Sequence, residues 1–491
     1  MKKILISTIA VSALLATVGC KTDFDTDVSS IQVTSGDANF SKFVSIGNSL
    51  TSGYRDGALY SDGQMESYPA MMAKQMKLAG GGEFTQPMMP NNVGGFTNLF
   101  AASGGTDFYG KLTLKVVNGA LSPTPSAPGA NLDMIGGAGK MFNNMGVPGA
   151  KSFHLGVAGY GNANGLTTGA ANPYFVRFAT SPTASVIGDA VAQKPTFFSL
   201  WIGNNDVLSY ATSGGAGVDR TGNPNAAVYG SNDISDPGLV ATVINNYVNA
   251  LTAGGAKGVI ANIPNVTSIP YFTRVPAKPI PGDPATVSAL NAGYATYNAG
   301  LGQAKTLGYL TDAEYNQRLI KFTVGVANGA VIVDKDLTDL SALGIPSYRQ
   351  TTSKDLVLLT ASSQLTAAVG GGTSVPLADK YVLTEKETAR VLTATAAYNA
   401  SIQSLADAKG LAFVDANKKM TELSSMSGIQ FDGVKYTATF VTGGTFSLDG
   451  VHLTGRGYAL IANEFMRVIN LKYKSTLPMV NVNSYQGVTF P

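Results

Sequence analysis

The chain has 491 residues, 44% hydrophobic and 13% charged, which is enough apolar material for one large core without division into many small domains. Its formal charge of +3 falls to +1 if the two lysines of a leader segment, Lys2 and Lys3, are removed. No Lys/Arg cluster interleaved with aromatics stands out, and this argues against nucleic acid as a partner.

The chain opens MKKILISTIAVSALLATVGC, with two lysines, an apolar run from Ile4 to Val18, and then Cys20, the single cysteine. One cysteine excludes an internal disulfide, and the run is shorter than the about 20 apolar residues a spanning helix needs. Residues 1–19 therefore read as an export signal. The ending Thr17-Val18-Gly19-Cys20 resembles a bacterial lipoprotein cleavage site, with Thr17 where leucine is usual. The resemblance implies that Cys20 carries the lipid and anchors an exported protein to a membrane, with the outer membrane of a Gram-negative cell expected, on the periplasmic face or the cell surface. A plain secretory signal, or a buried free thiol at Cys20, are the competing readings. Residues 20–39 form a polar tether that either carries a surface-export address or is a solvated linker.

Short apolar runs ending in turn residues follow. Lys42 to Ile46 stops at Gly47, Phe197 to Ile202 at Gly203, Gly258 to Ile263 at Pro264, and Leu411 to Val414 at Asp415. Each predicts a buried parallel strand. Between them the period becomes helical. Val240, Val243, Ile244, Tyr247 and Leu251 share a stripe over 236–254, and a Thr384/Glu387 capping box opens a helix with Val391, Tyr398, Ile402 and Leu405 on one face. Thr454 predicts an N-cap for a helix burying Tyr458, Ile461, Phe465 and Val468. The alternation predicts an α/β protein: three layers, with a mostly parallel central sheet between helices. A single domain over 40–475 is expected, with insertions at about 78–140 and 275–380 and a C-terminal extension at 476–491. Val331-Ile332-Val333 adds a possible strand inside the second insertion.

Polar residues gather after the strands. Gly47-Asn48-Ser49-Leu50 puts a serine on the turn after the first run, and Gly203-Asn204-Asn205-Asp206 offers amide donors after the second. Asn144 to Gly149 reads as a tight turn whose glycines let backbone N–H groups approach a ligand. Asp449-Gly450-Val451-His452 precedes the last helix, so its acid and imidazole share a loop. Acyl transfer needs a nucleophile, a base, a carboxylate that fixes the base's tautomer, and oxyanion donors.

In their order, Ser, Gly, Asn, then Asp-x-x-His, these blocks resemble the SGNH hydrolases, the GDSL esterase/lipase superfamily, over roughly residues 40–270 and 410–470. The resemblance implies a flavodoxin-like SGNH hydrolase fold and a carboxylic ester hydrolase. It makes Ser49 the nucleophile, His452 the base and Asp449 its orienting acid. The N–H groups of Ser49 and Gly149 and the side chain of Asn205 would form the oxyanion hole. Asn48 stands where the family name has aspartate, a change of little expected chemical consequence.

Taken singly, Ser49 and Asn205 read as turn residues and His452 as a helix-entry residue; their joint order favours catalysis. His154, the other histidine, has no Asp-x-x-His context and is a candidate only for substrate contact. Asp206 either supports the Asn205 turn or caps the next segment, and Pro264-Asn265 closes a strand at the same rim. Two histidines and one cysteine offer no zinc-type cluster, and no cofactor is expected.

The expected substrate is a lipid or acyl ester, with Met71, Met72, Met88, Met89, Phe96, Leu99 and Phe100 as candidates for an acyl-binding wall. The alternatives are an acylated carbohydrate, from which acetyl groups would be removed, and a non-catalytic surface binding protein on the same fold. Oligomeric state is not legible.

Overall fold

The computed structural model describes residues 32–117 and 119–491. The expected export signal, Cys20 and the expected tether up to residue 31 lie outside the described residues. Five strands form a parallel sheet: β1 (Phe43–Gly47), then, beyond the hairpin of β2 (Gly110–Val117) and β3 (Ala120–Ser126), β4 (Asn144–Gly146), β5 (Phe197–Trp201) and β6 (Lys257–Ala261). A second antiparallel pair, β7 (Val331–Val333) and β8 (Tyr348–Gln350), lies in the second insertion, and β9 (Ala412–Val414) completes the central sheet. The sheet order is β9-β6-β5-β1-β4, the doubly wound order of flavodoxin-like folds. β1 aligns Phe43 with Phe197 and Gly47 with both Trp201 and Gly146. The chain turns outward to β4 and then returns to β5, so the strand order reverses beside β1. Ligands of open α/β sheets bind at such a reversal, beyond the carboxyl ends of the strands.

The apolar runs become strands because both faces of the sheet are covered; all five residues of β1 and of β5 are buried. Helix α1 (Ser49–Ser52) leaves β1 directly, and α2 (Tyr68–Leu78) packs against the last helix. α3 (Asn205–Thr212) leaves β5, while α4 (Pro237–Thr252) and α5 (Glu385–Lys409) pack on one another. Asp236 caps α4, and Val240, Ile244, Tyr247 and Leu251 are buried, with Val243 packed at the margin. The Thr384/Glu387 capping box forms, and Val391, Tyr398 and Ile402 are buried. α6 (Gly455–Tyr473) begins at the Thr454 cap and buries Tyr458, Ile461, Phe465 and Val468.

One expectation changes, and the insertions and the C-terminal extension gain detail. Asn144 to Gly146 is a strand at the sheet edge, and only the residues after it turn. Its polar first residue hid it: Asn144 is buried because its side-chain amide donates to Thr51 O at 3.0 Å and Gln86 Oε1 at 2.9 Å. The first insertion carries the β2/β3 hairpin, whose prolines Pro123 and Pro125 suit an exposed edge. The second insertion encloses its own small core, including Ile280, Tyr294, Phe322, Val331 and Ile332. After α6 the chain adds no strand; Leu477, Val480 and Val482 are buried against the main core.

Candidate active site

The site forms where three strand ends meet. Gly146 faces α1 so closely that a Cβ there would lie 2.4 Å from the Ser52 N, which lets the first two blocks touch. Asn48 caps α1, its Oδ1 accepting the Leu50 N–H at 3.1 Å, and its Nδ2 donates to Asn204 Oδ1 at 3.4 Å. The residue standing in place of aspartate thus joins the Ser49 turn to the Asn205 turn.

Ser49 is the first residue of α1, so its N–H lacks an intrahelical acceptor. Among the described residues neither the Ser49 N–H nor the Gly149 N–H has a hydrogen-bond acceptor. Gly149 holds φ +80°, a conformation that presents its amide at no steric cost only for glycine. The Asn205 side chain donates one amide hydrogen to Ala150 O at 2.9 Å, which fixes it beside Gly149 and leaves its second hydrogen free of protein acceptors among the described residues. Asn172 holds the same turn, donating to Pro148 O at 2.8 Å. Asp206 performs neither anticipated task. It accepts the N–H and the hydroxyl of Ser152, both at 2.8 Å, and burial raises its pKa above the usual carboxylate value.

Asp449 and His452 meet directly: Nδ1 of the imidazole lies 2.9 Å from Oδ2 of the carboxylate. Both carboxylate oxygens are fully engaged. Oδ1 accepts the N–H groups of Val451 and His452 at 2.8 Å and the Ser447 hydroxyl at 3.1 Å, and Oδ2 also accepts the Gly57 N–H at 2.9 Å. Burial pushes the Asp449 pKa up, but His452 and these backbone donors outweigh it and hold the carboxyl well below its ordinary value. An ionised carboxylate only accepts, so Nδ1 carries the proton and Nε2 is left as the basic nitrogen. The Tyr54 ring lies 4.7 Å from the imidazole, centroid to centroid, and the Tyr54 N–H donates to Ser49 O at 3.0 Å. Tyr54 is therefore the bridge between the serine and histidine segments. Among the described residues the Ser49 hydroxyl makes no hydrogen bond to His452; Asp449 and His452 are brought together, while Ser49 stands on the adjoining segment.

His154 is occupied elsewhere. Its Nδ1 accepts the Lys151 N–H at 3.1 Å and its ring stacks on Tyr160 at 5.0 Å. Burial and the nearby Lys151 lower its pKa to about 4, so it is neutral at pH 7.

Two concave surfaces flank the site. An apolar cavity is lined by Leu50, Trp201, Pro264, Met420, Phe446 and Val451 among others, and it includes the immediate neighbours of Ser49 and His452. A larger, mixed groove runs past Leu448 and Asp449 between the hairpin and the second insertion, with Ser122, Tyr271, Arg274 and Tyr381 in its walls. The methionines and aromatics of the first insertion line neither. Met71 and Met72 belong to the main core, and Met89 and Phe96 to a small one packed by Leu99. Tyr54, Gly57 and Ser447 are site residues that the sequence analysis did not identify. Only Ser447, two positions before Asp449, carried any local signal.

Among the described residues, no group of three or more His, Cys, Asp or Glu side chains forms a potential metal site, and no helix is long and apolar enough to cross a membrane. No family model and no curated protein match the chain. Among solved structures, a lipase/acylhydrolase from Enterococcus faecalis is similar, with 11% identity over 89% of this chain and 99% of that one, at a TM-score of 0.28. The fold and site define a doubly wound α/β protein with an Asp–His pair, free amide donors and a serine at the strand-order reversal.

Proposed function

We propose that the protein is a serine esterase of the SGNH type, hydrolysing carboxylic esters through an acyl-serine. Ser49 Oγ attacks the carbonyl carbon while Nε2 of His452 takes its proton. The oxyanion is received by the N–H groups of Ser49 and Gly149 and by Asn205. His452 then protonates the departing alcohol, and water repeats the sequence to release the acid. The observation that carries this reading is the Asp449–His452 pair, with its saturated carboxylate, held against the segment that leaves Ser49, in a site where the Ser49 and Gly149 N–H groups have no acceptor among the described residues. The residues present need no metal or cofactor for it. Ser49→Ala tests it: turnover of a short p-nitrophenyl ester should vanish with the thermal midpoint unchanged. Persisting turnover would remove Ser49 from the mechanism.

For the substrate, the apolar cavity beginning at Leu50 and Val451 supports a lipid or other acyl ester, the cavity taking the acyl chain. The wide groove past Asp449 favours a second reading, an acylated carbohydrate whose polymer lies across the surface. Comparing acetyl with octanoyl p-nitrophenyl esters separates them: preference for octanoyl supports the first and exclusive use of acetyl the second. The ending at Cys20 supports an exported lipoprotein anchored in the outer membrane. Incorporation of radiolabelled palmitate that survives Cys20→Ala would contradict that anchor.

A further inference from the structure

Asp56 lies outside the four sequence blocks, yet it touches the acid–base loop more than any member of them except the loop itself. Its N–H donates to Ser447 Oγ at 3.0 Å, and its Oδ1 accepts the Leu448 N–H at 3.0 Å. Its neighbour Gly57 donates directly to Asp449 Oδ2 at 2.9 Å. Ser447 passes the contact on, since its hydroxyl accepts from Asp56 and donates to Asp449 Oδ1 at 3.1 Å. These bonds join positions almost 400 residues apart in sequence, with Asp56 and Leu448 separated by 392.

Asp56 is itself fixed from behind. Tyr60 OH donates to its Oδ2 at 2.6 Å, Arg55 Nε donates to Tyr60 OH at 2.7 Å, and Arg55 Nη1 pairs with Glu66 Oε2 at 2.6 Å. The backbone at Asp56 holds φ +53°, an uncommon conformation for a non-glycine residue. It persists because both sides of the residue are tied. The first insertion is tied in as well: the Leu112 N–H, in β2, donates to the Asp56 carbonyl at 2.7 Å. Burial of a charged aspartate is costly unless each oxygen is satisfied, and here each oxygen has a donor.

The geometry points to Asp56 as a positioning residue for the reaction proposed above: it clamps the Ser447–Asp449 turn to the segment leaving Ser49 and sets the placement and basicity of His452. The inference rests on the esterase reading. The clamp makes the distance between nucleophile and base a property of the contact between two loops. It also places a second negative charge behind Asp449. The charged and titratable groups facing the pair are Asp449, Tyr54 and Tyr458, with Asp56, Arg55, Tyr60, Glu66 and, from β2, Lys111 over the Tyr60 ring behind; the three tyrosines are kept neutral by burial. Removing the Asp56 charge therefore leaves less anionic field to stabilise the imidazolium.

The test uses the full chain with a short p-nitrophenyl ester, and a serine-directed phosphonate for labelling. In Asp56→Asn, we expect kcat to fall by about 10- to 100-fold, the scale of outer-shell support for a functional histidine. KM should stay within about twofold of its parent value, because no substrate contact is removed. The acid limb of the kcat/KM profile should move to lower pH. Ser447→Ala, which deletes only the relay hydroxyl, should lower kcat about 10-fold at constant KM and serves if Asp56→Asn does not fold. A parent enzyme beside which both folded variants keep kcat and an unmoved acid limb would overturn the role of Asp56 while leaving the esterase reading standing. A parent that neither turns over ester nor reacts with the phosphonate would overturn both.

Discussion

Asp449 holds His452 at two points: Oδ2 meets imidazole Nδ1 at 2.9 Å, and Oδ1 receives the His452 backbone N–H at 2.8 Å. The acid therefore fixes the position of the histidine's main chain as well as the direction of its ring. Asp449→Asn keeps the shape but presents an amide to Nδ1 and disfavours the tautomer with a basic Nε2. We expect kcat to fall by roughly 10⁴-fold with KM little changed, as measured by steady-state ester hydrolysis near pH 8. A fall below about 10-fold would mean that Asp449 does not set the tautomer.

The depressed pKa of Asp449 also has a consequence for stability. A carboxyl held low by folding contributes stability that is present above its unfolded pKa and lost as pH falls through its folded value. The thermal midpoint of the parent should therefore drop below about pH 4, the unfolded range for aspartate. Asp449→Asn should be less stable than the parent at pH 7, and the difference should narrow as the solution is acidified. Parallel curves for the two proteins would contradict the coupling.

In the proposed mechanism Asn205 and Gly149 would serve the oxyanion in different ways. Asn205→Ala removes a side-chain donor, and kcat should fall by roughly 10²–10³-fold at nearly constant KM. Gly149→Ala tests the backbone. An added Cβ there meets nothing closer than Asn172 Nδ2 at 3.9 Å, so the change acts through φ +80° and not through crowding. It should destabilise the fold by about 1 kcal/mol and lower kcat as the amide is displaced. Unaltered kcat in both variants, measured on the same ester, would place the oxyanion elsewhere.

His154 provides a pH signal that is separate from catalysis. Its pKa of about 4 in the fold lies below the ordinary 6.5, so the unfolded chain binds the proton more readily. Stability is complete above about 6.5 and is lost as pH falls toward 4. His154→Gln should flatten the midpoint against pH over that interval and leave kcat at pH 8 within about twofold of the parent. A large loss of kcat would give His154 a part in the reaction.

What the sequence makes legible follows the range of the interactions. β1, β5, β6 and β9 are readable because both of their faces are buried and the apolar run is continuous, and α6 is readable because its cap and stripe are local. β4 is three residues long and starts with a buried asparagine satisfied by Thr51 and Gln86, so no hydrophobic run announces it. The β2/β3 hairpin is partly exposed and interrupted by prolines, which reads as loop. Asp449 and His452 lie three residues apart and share a loop, hence their pairing is visible in one line of sequence. The contacts of Asp449 with Gly57, and of Asp56 with Ser447, depend on a fold that closes 392 and 391 positions and leave no local pattern. The apolar side chains of α2 and the first insertion misled for the converse reason: Met71 and Phe96 have the composition of a pocket wall but are spent on core packing.

The central claim concerns one oxygen atom. Full-length protein treated with a fluorophosphonate at pH 8 and digested for mass spectrometry should carry the adduct on the peptide containing Ser49, with the label lost in Ser49→Ala and greatly slowed in His452→Ala. Stoichiometric labelling of any other serine, or no labelling while ester turnover continues, would contradict it.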